Sequence, residues 1–382
     1  MGSAIDGLHI TIDPVAILPH EGNALADLVL QCASLRSLIV IAHEAFGEQP
    51  VFDALLRATA HPAVQTLVLD LRSIEAPLHL GYHLRDWVRT APATSLSLSN
   101  ISRMPRNAAV AFCSALHANS TLAEIKLERV NGIDGFLGRR LPTSLRELYY
   151  DHERHEFIDD IDDTPTDAVL ADLARALAPT RLEHLSYSYF GELALQPCLS
   201  SMLSVLTSLE LVAAQLDDDR VPAFAAGLAQ LGSLKTLVLV VPNYLYGEGF
   251  RSVLETLCVH CPSLETLDMA DNRLDHDELM LLLEAVPRLP QLRKLEGWVH
   301  DWPFESVVPR FTTALVAASR QLRELNMTLI TDGTTQQDLY DALATIENQP
   351  FYVETWGVRS LLATLPVALH KTNNETRCRL IL

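Results

Sequence analysis

Leu264-Glu-Thr-Leu267-Asp-Met269-Ala-Asp-Asn272-Arg-Leu274 runs into an apolar helical stretch, and Leu292-Arg-Lys-Leu295 then reopens the same phrase 28 residues after Leu264. Leu264, Leu267 and Met269 follow the spacing LxxLxL. The last two stand two apart, so both point to one side of a short strand, while Thr266, Asp268 and Ala270 point to the other. Asn272 and Leu274 complete LxxLxLxxNxL, and an Asn there can bond the backbone of a sharp turn and of the neighbouring turn. Asp275 is placed to cap a helix, with Glu278 three residues on as its capping-box partner. Leu279, Leu282, Leu283 and Val286 then fall at i, i+3, i+4 and i+7, one apolar stripe. Pro287 and Pro290 end the helix. Neither the strand nor the helix can bury its apolar side alone, so the unit demands neighbours of its own kind.

The phrase recurs along the whole chain. Its first position falls at Ile5, Leu35, Val64, Ala93, Leu122, Leu145, Leu182, Leu206, Leu234, Leu264, Leu292, Leu322 and Val353, with steps of 30, 29, 29, 29, 23, 37, 24, 28, 30, 28, 30 and 31. A degenerate strand is expected at Arg377, Leu380 and Leu382. Helical stripes recur in step: Leu25/Leu28/Val29/Cys32, Ala109/Phe112/Cys113/Leu116, Leu170/Leu173/Ala174/Leu177, Val221/Phe224/Ala225/Leu228, Phe250/Val253/Leu254/Leu257, Leu339/Ala342/Leu343/Ile346 and Val358/Leu361/Leu362/Leu365. Two locked periods of this length specify a stacked array.

On these residues the chain resembles the leucine-rich repeat proteins of the ribonuclease-inhibitor-like class. The resemblance implies an α/β solenoid, a horseshoe with a parallel inner sheet and outer helices, in about 13 repeats. The departures are specific. The turn Asn is clear only at Asn272, with Val130 and Ala214 in its place elsewhere. The phrase Cys261-Pro262-Ser263-Leu264 leans toward the cysteine-containing subclass found in substrate receptors of ubiquitin ligases. One leucine-rich repeat domain spans residues 1–382, with 1–34 as an N-terminal capping repeat and 358–382 as a C-terminal cap.

Formal charge is −19, from 48 acidic against 29 basic residues, and 48% of residues are hydrophobic. This balance opposes nucleic acid and anionic membrane as partners and suits a basic protein, or solubility alone. The six cysteines read as buried free thiols of a reducing compartment. Cys258-Val-His-Cys261 is a lone CxxC, without the second pair a zinc site needs. Residues 1–14 lack the basic start and apolar core of a signal peptide, and Asp6 stands where N-myristoylation wants Ser or Thr. No F-box is expected ahead of the repeats. A cytoplasmic or nuclear, intracellular monomer is expected.

Two repeats depart from the mean length. In residues 122–145, Gly132, Gly135, Gly138 and Pro142 leave little room for a helix, and a 3₁₀ turn or extended strand is expected there. Residues 145–182 carry an acidic loop insertion at 151–165, from Asp151 through His152, His155, Asp159, Asp160, Asp162 and Asp163 to Pro165. Histidines three apart in a loop are not the HExxH of a metalloprotease helix, and the aspartates lack the alternation of an EF-hand. Asp217, Asp218 and Asp219 favour a helix N-terminus, which accounts for them. Gly297 takes the third apolar position of its strand, which is expected to end early. No nucleophile-and-base pair, P-loop or GxGxxG is present. No catalytic residue, metal site or cofactor is expected, and the chain reads as a non-enzyme.

Function then falls to the inner face. Glu124, Lys126, Glu128, Glu147, Tyr149, Asp151, His184 and Trp298 lie between or just after the apolar positions and are the candidate partner-binding residues. Asp70, Glu210, Asp268, Lys294, Glu296, Glu324, Asn326 and Arg359 share the face, and Ser95, Ser97 and Ser99 form a strand of small polar residues. The density of acids around Tyr149 suits a basic protein. The chain is expected to be a non-catalytic protein-binding scaffold. Alternatives are a substrate-recognition subunit of a ubiquitin ligase and a microbial effector. A third is a GTPase-activating leucine-rich repeat protein, whose relatives carry an acidic tail where this chain ends Arg377-Cys-Arg-Leu-Ile-Leu382.

Overall fold

The structure is a computed structural model, described for residues 6–12, 19–42, 56–74, 78–101, 104–133, 136, 138–151, 173–188, 205–212, 216, 220–240, 245–299, 310, 313–314, 317–318, 320–330 and 352–356. Its contacts divide the chain into two compact units, residues 1–189 with 196–205, and residues 190–195 with 206–382. Both are built from the same strand-and-helix repeat, the arrangement of an α/β leucine-rich repeat solenoid.

In the first unit the strands are β1 (Gly7–Ile12), β2 (Ser37–Ala42), β3 (Thr66–Ile74), β4 (Ser95–Ile101), β5 (Glu124–Val130), β6 (Glu147–Asp151) and β7 (His184–Ser188). Each pairs in parallel with the next, in chain order. The second unit repeats the pattern with β8 (Ser208–Val212), β9 (Thr236–Val240), β10 (Thr266–Leu274), β11 (Lys294–Val299), β12 (Glu324–Ile330) and β13 (Tyr352–Trp356). Parallel neighbours need a crossover, and helices supply it: α1 (Pro19–Leu30), α2 (Leu80–Thr90) and α3 (Arg106–Ala118) in the first unit, α4 (Val221–Leu228), α5 (Gly247–His260) and α6 (His276–Ala285) in the second.

The apolar positions of the phrase form the interior. Leu38, Leu67, Leu96, Ile125, Leu148 and Leu185 occupy one row across β2–β7, and all are buried. Leu209, Leu237, Leu267 and Leu295 do the same in β8–β11. Each such side chain contributes roughly 2 kcal/mol on leaving water. Strand entries are tied by one shared carbonyl per repeat. The amides of Gln65 and Thr66 both donate to Arg36 O, those of Ala123 and Glu124 to Thr94 O, and those of Arg293 and Lys294 to Glu265 O.

A second tie sits three residues before the phrase. Asn119 Oδ1 accepts from the Thr121 and Leu122 amides, while its Nδ2 donates to Val88 O one repeat back. His61 Nδ1 likewise accepts from the Ala63 amide, and burial holds that imidazole below its ordinary pKa. Cys261 Sγ fills the same place against Leu228 O at 3.6 Å.

The helical stripes hold on α3, α4, α5 and α6, where every residue named above for them is buried. On α1 the stripe is corrected. Gly22, Ala26 and Val29 face inward, Leu25 lies at the rim and Leu28 is 61% exposed. Gly297 does not shorten its strand, since β11 pairs with β12 as far as Val299 and Leu329. The last strand is also corrected: Val353 pairs with Met327, so it holds the third apolar position of the phrase rather than the first. The stripes at 339–346 and 358–365, the strand at 377–382, the C-terminal cap 358–382, Asp217–219 and Arg359 lie outside the described residues. So does all of the acidic loop after Asp151.

The short repeat has no α-helix among its described residues. Residues 136 and 138 are 3₁₀, and Ile133, Phe136 and Leu141 are buried in its place. The Phe136, Tyr150 and Tyr187 rings run in series, with centroids 5.6 and 5.3 Å apart. Bulky rings thus fill the room that a helix and leucines take elsewhere. The turn depends on Gly132, at φ 92°, where an added Cβ would lie 2.5 Å from Met104 O. Gly132→Ala is therefore expected to cost about 2 kcal/mol, from backbone strain plus this clash, seen as a lower midpoint in equilibrium urea unfolding.

Candidate functional site

Strand register brings seven of the eight candidate residues onto three adjacent strands. Glu124, Glu147 and His184 form one row, Lys126, Tyr149 and Ser186 the next, and Glu128 and Asp151 the third. All point away from the buried row, because they alternate with Ile125, Leu127, Leu148 and Tyr150, which are buried. Neighbouring strands lie about 4.8 Å apart, so the patch spans roughly 10 Å across β5–β7. Trp298 is not brought to this patch. It lies on β11 of the second unit, in Thr328's row, and its side chain is not among those described.

The rows place like charges side by side. Glu124 pairs directly with Glu147, and Glu128 with Asp151, contacts that each cost a few tenths of a kcal/mol. Compensation is partial. Ser95 Oγ donates to Glu124 Oε2 at 2.8 Å, and Lys126 Nζ stands 3.3 Å from Glu128. Among the described residues, Glu147 and Asp151 have no ionic partner. Four carboxylates against Lys126 and the exposed Arg129 at the end of β5 leave these two strands at about −2.

The same face of the second unit differs. Lys294 lies 3.3 Å from Glu296 and 3.1 Å from Glu324. Burial works against its ammonium, but the two carboxylates outweigh it and hold the lysine above its ordinary pKa. There too carboxylates outnumber the ammonium, but both of these share Lys294, whereas on β5–β6 Glu147 and Asp151 have no ionic partner among the described residues.

The chemical alternatives can be placed as well. Cys258 Sγ faces Ala285 O in the following repeat, while Cys261 Sγ faces Leu228 O in the preceding one. The pair is thus directed at opposite neighbours rather than at a shared ion. Burial pushes the Cys113 thiol up to about 12 and Cys261 up to about 11, so both stay protonated and poorly nucleophilic at neutral pH. Among the described residues no group of His, Cys, Asp and Glu is arranged to hold a metal, and no helix is long and apolar enough to cross a membrane. His152 and His155 lie outside the described residues.

One part of the face escaped the sequence reading. Ser37-Leu-Ile-Val-Ile-Ala42 is apolar almost throughout, which hides its alternation. In the structure Leu38, Val40 and Ala42 are buried while Ile39 and Ile41 are half-exposed, and Val68 of β3 pairs with Ile39 on the same side.

No family model and no curated protein matches the chain. Among solved structures, a chain in the crystal structure of the yeast Rad7 and Elc1 complex is similar over 83% of this chain and 84% of that one. The identity is 14% and the TM-score 0.41. A likeness that distant carries no argument about function.

Proposed function

We propose that the chain is a non-catalytic scaffold that binds a basic protein partner through the helix-free face of β5–β7. The observation that carries this is the like-charge pairing, only partly compensated, of Glu124 with Glu147 and Glu128 with Asp151 around Tyr149. The repeat requires nothing acidic at those positions, since serines hold the equivalent places on β4. The acids thus work slightly against folding. Lysine or arginine side chains of a partner would relieve that repulsion, and an aromatic amid acids offers such a partner a packing surface. Rows of single side chains on consecutive strands suit a folded protein or peptide rather than a small molecule.

The test compares wild-type chain with the triple charge reversal E124K/E128K/E147K as bait in lysate of the cell that makes it. Proteins held by the wild type are expected to be basic where they contact it. Their affinity should fall at least about a hundredfold on the triple variant, three attractions having become repulsions of about 1 kcal/mol each. Equal retention of the same partners by both baits would remove this face from the account.

A further inference from the structure

From β2 to β6 the helix-free face of the first unit is graded along the strand order, while β1 presents His9 and Thr11 beside Ile39 and Ile41. On β2 and β3 it presents Ile39, Ile41 and Val68, all half-exposed, with Ser37 and Thr66 at one side of them and Asp70 paired to Ile41 at the other. On β4 it presents Ser95, Ser97 and Ser99, followed by Asn100. On β5 and β6 the acids and Tyr149 follow. One row shows the sequence of chemistries directly: Ile39 pairs with Val68, Val68 with Ser97, Ser97 with Lys126 and Lys126 with Tyr149. The carboxylate within the apolar half, Asp70, is already engaged by Asn100 Nδ2 at 2.8 Å.

We infer that the partner is recognised in two halves, by an extended segment that sets an aliphatic anchor on β2–β3 and lysine or arginine on β5–β6. This deepens the proposed function and rests on it. The anchor requirement is new: charge alone would attract any basic surface, whereas three neighbouring aliphatic side chains are a cost in water unless something apolar covers them. The serines make the middle of the face lower than either end. A segment crossing the strands can therefore bring its backbone close there, with Ser97 and Ser99 hydroxyls available as hydrogen-bond partners.

The strand spacing sets a ruler. The centres of the two halves lie three strands apart, roughly 14 Å at about 4.8 Å per strand. An extended peptide rises about 3.3 Å per residue, so roughly four residues separate anchor from base. A helix would need about nine to cover the same span.

The probe is a phage-displayed library of random twelve-residue peptides, selected on the full-length chain. Wild-type selection is expected to enrich peptides with Leu, Ile, Val or Phe about four residues from Lys or Arg. Selection on I39T/V68T is expected to keep the basic half and lose the aliphatic one. Selection on E124K/E147K should do the reverse. Threonine preserves strand preference, and an unchanged thermal midpoint shows that the variant is folded. Basic peptides without an aliphatic anchor, or at no fixed spacing from one, would overturn the two-part inference and leave the proposed function standing. Failure to enrich basic peptides, or their unchanged enrichment on E124K/E147K, would overturn both.

Discussion

Trp87→Ala is expected to destabilise the chain by about 4 kcal/mol, within the range for deleting a buried indole. The ring lies on α2 and is 0% exposed, the largest fully buried side chain among the described residues. Two losses combine. Packing of the buried indole disappears and leaves a cavity. In addition, Nε1 donates to Val64 O at 3.0 Å, so truncation orphans a buried carbonyl at the turn into β3. Trp87→Phe separates the two, since it restores most of the volume but not the donor. It should recover more than half of the stability. Equilibrium urea unfolding of both variants measures this, and equal stability of the two would mean that the ring is not packed as described.

Asn272→Asp is expected to be the most damaging conservative exchange in the second unit, at about 4 kcal/mol near neutral pH. Asn272 is 2% exposed. Its Nδ2 donates to Leu239 O in the preceding repeat, to Met269 O at 2.9 Å and to Ala270 O at 3.2 Å. Replacement by a carboxylate keeps the shape but turns the donor into a charged acceptor facing three carbonyl oxygens. Asn272→Ala only deletes the donor and should cost about 2 to 3 kcal/mol. The pH dependence distinguishes the two. Burial against carbonyls raises the introduced group's folded pKa above the unfolded value of about 3.9. The folded state then binds the proton more tightly, and the excess cost of Asp over Ala shrinks as pH falls through that window. An Asp variant as stable as the Ala variant at pH 7 would show that the amide does not face those carbonyls.

Much of this was legible because the phrase carries two constraints at once. LxxLxL fixed which side of each strand is buried, and the helical stripe fixed the crossover. In residues 264–295 both read without ambiguity, and the Asp275–Glu278 capping box is present, with Asp275 accepting from the Glu278 amide and Glu278 from that of Asp275. Errors arose where two registers satisfy the same pattern. On α1, Leu25/Leu28/Val29/Cys32 is more apolar than Gly22/Leu25/Ala26/Val29. Small residues let a helix pack closer, and the smaller set lies inside. At the C-terminal end Val353 suits either the first or the third position of the phrase, and only pairing with Met327 decides. The candidate face was legible on β5 and β6, where charged residues alternate with leucine-like ones. It was invisible on β2, where Ile39 and Ile41 belong to an unbroken apolar run. That the acids of β5 and β6 share one face was legible from their equal offsets after Leu122 and Leu145; the structure adds the register that sets Glu124 beside Glu147 and Glu128 beside Asp151, and the partners that only partly offset them.

A partner is expected to cover the acidic rows of β5 and β6. Carbodiimide labelling of carboxylates, read residue by residue by mass spectrometry, tests it with and without the captured partner. Glu124, Glu128, Glu147 and Asp151 should label in the free chain and become protected in the complex. Asp27 on α1 and Asp86 on α2, 60% and 48% exposed on the helical side of the same unit, should label equally in both. Protection of Asp27 and Asp86 with undiminished labelling of the four strand carboxylates would contradict the account.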